Sequence, residues 1–223
     1  MGTITRTFAN NITTSGVFKP TAFNNASFDN VTSVPSGSLP AGGSMVLLST
    51  QTASASSSIS FTSGITSTYK EYMFIFNNIH PSVDGTQFQF NLSTDGGSNY
   101  NVTKTSSTFR AAHNEADTDT ELSYGTSTDL AQSTSDQQLM GGYNGLGADN
   151  DQSISGYLHL FEPSSNVFVK HYISTTNHTH NGDYQVNNFI AGYGNTTSAI
   201  DAIIFRMASG NIDDGTIQMF GIL

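Results

Sequence analysis

The chain has 223 residues, of which 36% are hydrophobic and 11% are charged, and its formal net charge is −10. With only 7 Lys and Arg residues, binding to nucleic acid or to anionic membranes by charge neutralisation is excluded as a principal activity. Cysteine is absent, which excludes disulfides and thiolate metal sites. Abundant Ser, Thr, Asn and Gly disfavour helices, whereas the Thr, Val, Ile, Tyr and Phe residues suit pleated sheet. The composition therefore predicts an all-β protein.

Residues 1–43 differ from the rest of the chain. Their large apolar residues, such as Phe8, Phe18 and Phe28, follow no helical or strand period, and the segment ends in the linker-like run PSGSLPAGG. These residues are too apolar for a purely solvated tail. We predict an extended N-terminal docking arm and linker that orders against a partner chain, with a disordered terminus as the alternative.

The stretch from Tyr69 to Tyr100 predicts two strands and two turns. Residues 69–76 are apolar on both faces, and the pair Asn77-Asn78 is expected to end that strand. Residues 88–92 alternate between apolar and polar side chains, which predicts a strand with one solvent-exposed face. The run STDGGSNY at 93–100 is typical of a hairpin whose Asp accepts backbone N–H bonds. We expect the two strands to pair as an antiparallel meander.

Short apolar or alternating runs, separated by turn residues, continue along the chain. Strands are predicted at 45–48, 59–61, 102–104, 108–112, 154–161, 167–173, 189–193, 199–207 and 216–222. This spacing favours an antiparallel two-sheet jelly-roll-like β-sandwich over residues 44–223. The core is expected to hold Phe74, Phe76, Phe88, Phe90, Leu158, Leu160, Val169, Ile203 and Phe205.

Two acidic loops and one histidine pair are the candidate metal sites. The acidic loops are 114–121, which contains Asp117, Asp119 and Glu121, and 149–151, and both supply oxygen ligands of the kind that Ca²⁺ takes. His178 and His180 are a possible half-site for a transition metal, without a specified third ligand. We interpret all of them as solvated loops, although Ca²⁺ at the acidic loops stays open.

No pattern in the sequence indicates catalysis. The glycine-rich run 141–147 lacks the Gly-Lys-Ser/Thr ending of a phosphate-binding loop, and no Gly-x-Ser-x-Gly elbow occurs. The sequence therefore predicts no catalytic, cofactor-binding or metal-ligating residue, no cofactor and no enzyme activity.

Several long runs carry a family resemblance. ISFTSGITSTYKEYMFIFNNIHP, STDGGSNYNVTKTSSTFRAAHNEAD, SGYLHLFEPSS, FVKHYIS and AGYGNTTSAIDAIIFRMASGNIDDGTIQMFGI resemble virion structural, tail-fibre-like proteins of marine tailed bacteriophages. The resemblance covers residues 45–223. It implies a non-enzymatic subunit on the particle surface, made in the host cytoplasm, of the fibre or adhesin type involved in host attachment. A capsid decoration protein is the alternative, and a carbohydrate-active enzyme on a jelly roll is the third.

The same resemblance implies particular partners. Fibre and decoration proteins of tailed phages are commonly threefold assemblies, so a homotrimer is expected. Other virion proteins would bind the N-terminal arm, and host surface glycans would be the external ligand. Neither nucleic-acid binding nor membrane insertion is expected.

Overall fold

The computed structural model describes residues 45–141 and 145–223, so the arm predicted for residues 1–43 lies outside the described residues. The described part contains no helix that could span a membrane. It is built from twelve strands. Their bounds are β1 Met45–Thr52, β2 Ile59–Phe61, β3 Glu71–Pro81, β4 Phe88–Ser93, β5 Lys104–Asn114, β6 Thr120–Tyr124, β7 Gln137–Gln138, β8 Ile154–Phe161, β9 Lys170–His180, β10 Tyr184–Gly194, β11 Ala202–Met207 and β12 Ile212–Ile222.

The strands form two antiparallel sheets that pack as a sandwich, which confirms the predicted fold class. The larger sheet has eight strands in the order β1-β12-β3-β8-β9-β10-β5-β6, and the smaller has four in the order β2-β11-β4-β7. The antiparallel pairs β1·β12, β2·β11, β3·β8 and β4·β7 belong alternately to the larger and the smaller sheet. This alternation of strand pairs between two sheets is the topology of a jelly roll.

Two insertions enlarge one sheet of this jelly roll. Strands β5 and β6 come between β4 and β7 in the chain, and β9 and β10 come between β8 and β11. All four join the larger sheet beyond β8. The larger sheet is therefore broad, and its outer face is the one that points away from the smaller sheet.

Aromatic side chains fill the space between the sheets. Phe74 and Phe76 of β3 meet Phe205 of β11 at ring-centroid distances of 5.5 and 5.2 Å. Phe88 completes this cluster at 5.2 Å from Phe76. All the predicted core residues are buried except Val169, which is partly exposed because it precedes β9.

Several local predictions were wrong in ways that the sheet pairing explains. Strands β3 and β4 do not pair as a meander, because the chain crosses from the larger sheet to the smaller one between them. The pair Asn77-Asn78 does not end β3 but sits at an irregularity in its pairing with β8. The strand predicted at 167–173 instead begins at Lys170 and runs to His180.

The polar side of β4 is buried at Asn91 and Ser93, contrary to the prediction, whereas Gln89 on the same side is partly exposed. Asn91 is 1% exposed and Ser93 is fully buried. The Asn91 side chain donates hydrogen bonds to Thr134 O and to Asp136, which belong to the segment between β6 and β7. That segment therefore shields the face of β4 that alternation alone assigns to solvent.

The turn after β4 has the predicted design. Asp95 Oδ1 accepts the N–H of Asn99 at 2.8 Å, and Gly96 and Gly97 both have positive φ. Hydrogen bonds from the side chain and the N–H of Asn99 lower the pKa of the Asp95 carboxyl. The turn carries the chain from the smaller sheet back to the larger one.

Candidate functional site

A row of aromatic side chains crosses the outer face of the larger sheet. Tyr124 of β6 lies opposite Phe109 of β5, which lies opposite Phe189 of β10. Thr175 of β9 continues the row, and Tyr157 of β8 lies opposite Thr175. At about 4.8 Å between neighbouring strands, the five positions span roughly 19 Å. We call Tyr124, Phe109, Phe189 and Tyr157 the aromatic row.

The rings of the aromatic row are accessible, and a hydrogen bond holds one of them in place. Tyr124, Phe109 and Tyr157 are 52%, 46% and 39% exposed. The Tyr124 hydroxyl donates to Asp129 Oδ2 at 2.9 Å, which fixes the ring and raises the pKa of the phenol. Tyr124, Phe109 and Phe189 follow one another on adjacent strands and form an apolar patch, from which Thr175 separates Tyr157. Exposed apolar patches mark interaction sites on soluble proteins.

A groove runs beside the aromatic row. It has a volume of about 540 Å³, and small side chains such as Ser107 and Ala191 form part of its lining. Ile173, His171 and Tyr193 line its other parts, and the rings of His171 and Tyr193 lie 6.1 Å apart. On the opposite side of the row, Asn187 lies across from Asn177 and supplies amide groups.

The aromatic row and the groove carry almost no charge. No Lys, Arg, Asp or Glu belongs to the row or to the described lining of the groove. Hydroxyl and amide side chains border the rings and can both donate and accept hydrogen bonds. This combination suits a neutral ligand that has apolar C–H faces and polar edges, because an aromatic ring presents its negative π face to C–H groups. Carbohydrates have that chemistry.

Sequence reasoning did not identify the aromatic row. Phe109, Tyr124, Tyr157 and Phe189 come from separate parts of the chain, and only the register of β6, β5, β10, β9 and β8 aligns them. The sequence signal that could have indicated them is the alternation of side chains between the two faces of each strand. Alternation identifies a shared face, but it does not show which face is exposed.

The candidate acidic residues at the β5–β6 turn do not converge. Asp117 is beside His113, with Asp117 Oδ1 and His113 Nε2 3.1 Å apart. Asp119 accepts a hydrogen bond from the Tyr184 hydroxyl, and Glu121 lies within β6 and pairs with Arg110 at 3.0 Å. Each carboxylate therefore has a different neighbour.

The second acidic loop lies at the start of β8. Asp151 lines a shallow surface groove together with Asp213 and Asp214, which are in the β12 region. Within residues 45–141 and 145–223, no group of three or more His, Asp or Glu side chains is arranged to hold a metal ion. In this part of the chain, the geometry of the acidic loops therefore does not support Ca²⁺ binding.

The histidine pair does not lie in a polar loop, contrary to the prediction. His178 and His180 are on β9, and both are buried. Asn188 Nδ2 donates to His178 Nδ1 at 3.0 Å, and burial lowers the pKa of His178 to about 3. His178 is therefore a neutral core residue. The loop prediction failed because His and Thr hide the strand period that β9 follows.

Comparison with known proteins adds no family assignment. No protein family matches the sequence, and neither the curated proteins nor the solved structures include a significant match.

Proposed function

We propose that this chain is a non-enzymatic structural protein on the surface of a tailed-bacteriophage virion. In this proposal it is a fibre or adhesin-type subunit, and its external ligands are neutral glycans of the host surface. The aromatic row on the outer face of the larger sheet carries the proposal, and the resemblance of residues 45–223 to virion structural proteins gives its setting.

The aromatic row supports glycan binding for three reasons. Its rings are accessible over several strands, which suits an extended ligand better than a compact one. The row and the described lining of the groove contain no Lys or Arg, and the nearest charge is the Asp129 carboxylate at Tyr124, which suits a neutral ligand and disfavours phosphate or sulfate groups. Hydroxyl and amide groups flank the rings, so the polar edges of a sugar would keep hydrogen bonds when its C–H face is desolvated.

We further propose that the subunit works as a homotrimer. The larger sheet ends in β1 on one side and β6 on the other. Strand β6 is short and carries Leu122, which is 77% exposed. Neither strand has an outer neighbour among the described strands. Edge strands are commonly covered in native proteins, and symmetric neighbours are one way to cover them.

The experiment that tests the virion assignment uses particles of the virus that encodes this chain. Antibodies raised against residues 45–223 should label purified particles in electron micrographs, and the label should lie on the tail fibres. Label spread over the head would favour the decoration protein instead. Particles that contain none of this chain by mass spectrometry would contradict both.

A further inference from the structure

Lys104 and Asn91 form a buried contact between the two sheets. Lys104 is at the start of β5 in the larger sheet, and Asn91 is on β4 in the smaller one. Lys104 is fully buried and Asn91 is 1% exposed. Lys104 Nζ donates to Asn91 Oδ1 at 2.6 Å. Because a C=O bond is about 1.23 Å long, Nζ lies within roughly 3.8 Å of the carbonyl carbon Cγ.

The Asn91 side-chain amide is held in one orientation. Its Oδ1 also accepts the backbone N–H of Leu92 at 2.9 Å. Its Nδ2 donates to Asp136 Oδ1 at 2.8 Å and to Thr134 O at 3.0 Å. The oxygen therefore faces two donors and the nitrogen faces two acceptors, one of which is a carboxylate.

Asp136 is positioned by groups outside the Lys104–Asn91 pair. Arg206 Nε and Nη2 donate to its two oxygens at 2.6 and 3.0 Å, and Gln89 Nε2 donates at 2.9 Å. The Asp136 side chain is 10% exposed. A primary amine, a primary amide and a carboxylate thus meet where water has little access.

We propose that Lys104 and Asn91 join in an intramolecular amide bond that the chain forms by itself. Nζ, as the neutral amine, attacks Cγ of Asn91, and an Nζ–Cγ bond forms. The carbonyl electron pair moves to Oδ1, where the Leu92 N–H stabilises the developing negative charge, as donors do in an oxyanion hole. The Cγ–Nδ2 bond then breaks and the carbonyl re-forms.

The proton balance needs no co-reactant. In the tetrahedral intermediate Nζ and Nδ2 are bonded to the same carbon, and the proton that Nζ gives up passes to Nδ2, which Asp136 Oδ1 orients through its 2.8 Å hydrogen bond, so the nitrogen leaves as ammonia. The net change converts one lysine ammonium and one primary amide into one secondary amide and one ammonium ion. No oxidation or reduction takes place, and each folded chain reacts once.

The surroundings favour the reactive form of Lys104. Burial lowers the pKa of Lys104 to about 8, although the negative charge of Asp136 opposes this shift. At neutral pH about one tenth of such amines are uncharged, far more than for an ordinary lysine. Holding the amine against the carbonyl carbon replaces a bimolecular encounter, which accounts for large accelerations of intramolecular reactions.

The other buried lysine provides an internal comparison. Lys170 is also fully buried, and its Nζ donates to the backbone carbonyls of Phe168 and Thr196 at 2.7 and 3.3 Å. Lys104 Nζ likewise donates to the backbone carbonyl of Val102 at 2.7 Å, but it also contacts the side-chain amide of Asn91. Attack on a backbone carbonyl carbon could release an amine only by breaking the peptide bond. The reaction is therefore specific to Lys104, and the product would tie the two sheets together in a chain without cysteine.

The test is the mass of the purified full chain under denaturing conditions. The cross-link predicts a mass about 17 Da below the sequence mass, from loss of one ammonia. Simple deamidation of an asparagine would instead raise the mass by about 1 Da. Trypsin cleaves after Lys70, Lys104 and Arg110, so a modified Lys104 should yield a single peptide 71–110. Chymotryptic cleavage after Tyr100 should leave the two parts of that peptide joined.

Three variants test the roles of Asn91, Lys104 and Asp136, and a fourth variant serves as the control. Asn91→Ala and Lys104→Met should keep the full sequence mass, and Asp136→Asn should slow or abolish the loss of ammonia. Lys170→Met, the matched control, should still lose ammonia. Soluble, folded wild-type protein that keeps the full sequence mass after prolonged incubation at neutral pH would show a hydrogen-bonded network only and would overturn the proposal, whatever the variants do.

Discussion

Phe109 and Phe189 lie on the adjacent strands β5 and β10 and stack with ring centroids 4.7 Å apart and ring planes 10° from parallel. Phe109 is 46% exposed, so the pair presents an apolar surface to solvent at the centre of the aromatic row. Such a surface is costly to keep in water and gains free energy when a ligand covers it. This pair is the first place where the proposed glycan contact can be tested.

Replacing Phe90 by Ala should destabilise the sandwich strongly. Phe90 is fully buried and meets the Tyr172 ring edge-on at 5.1 Å. Removing it leaves a cavity between the sheets, so the free energy of unfolding should fall by about 3–5 kcal/mol. Chemical denaturation measures this. The exposed Leu122→Ala is the control, with an expected change of about 0.5 kcal/mol or less. A cost below about 1 kcal/mol for Phe90→Ala would mean that the core is misassigned.

Replacing Gly156 by Ala should also be costly, for a backbone reason. Gly156 has φ +151°, and an added Cβ would lie 2.3 Å from the carbonyl oxygen of Thr175 on β9. The expected loss is about 2–4 kcal/mol. Gly96→Ala is the matched control, since φ there is +71° but nothing lies within 4 Å, and about 1 kcal/mol is expected. Equal losses in thermal or chemical unfolding would contradict the close approach of β8 and β9.

Phe90 and Gly156 show which features of this protein could be predicted from the sequence and which could not. Aromatic residues on β3, β4 and β11 were placed in the core because the apolar runs of β3 and β11 and the apolar–polar alternation of β4 are local signals. The close approach at Gly156 depends on which strand lies beside β8, and that is not local. The same limit explains the failed meander of β3 and β4: the pattern identifies strands without assigning them to a sheet. The contact of Lys104, Asn91 and Asp136 was unpredictable for the same reason.

Acid should destabilise the protein through His178. Burial lowers the pKa of His178 to about 3 in the folded chain, against an ordinary value of 6.5. The unfolded chain therefore takes up a proton first, so stability is complete above pH 6.5 and falls as the pH drops towards 3. The loss attributable to this group should reach about 3–5 kcal/mol.

Denaturation curves at several pH values test this assignment. His178→Leu should flatten the pH dependence in the range from pH 6.5 to pH 3, whereas the control Leu122→Ala, at an exposed position without a titratable group, should leave it as in the wild type. His180 contributes to the residual dependence, since burial lowers its pKa as well, with Asp84 and Asp183 opposing. An unchanged slope for His178→Leu would contradict the neutral buried histidine.

The oligomeric state is the next prediction. Light scattering of the full chain at micromolar concentration should give three times the mass of one chain. Salt should alter the assembly only mildly, because charge interactions between exposed groups are largely screened at physiological ionic strength. A strict monomer in solution, with no trimer on the particle either, would rule out the threefold arrangement.

Calorimetric titration with linear oligosaccharides of glucose, mannose and galactose measures whether the aromatic row binds neutral glycans, as we propose. Phe109→Ser should weaken the affinity at least about tenfold, the equivalent of roughly 1.4 kcal/mol. Phe168→Ser is the control, because Phe168 is 69% exposed and lies outside the row. Binding should depend little on salt, since no charge pairs are involved. The proposal would be contradicted if the wild-type protein bound none of these sugars and the Phe109→Ser variant adhered to host cells as well as the wild type does.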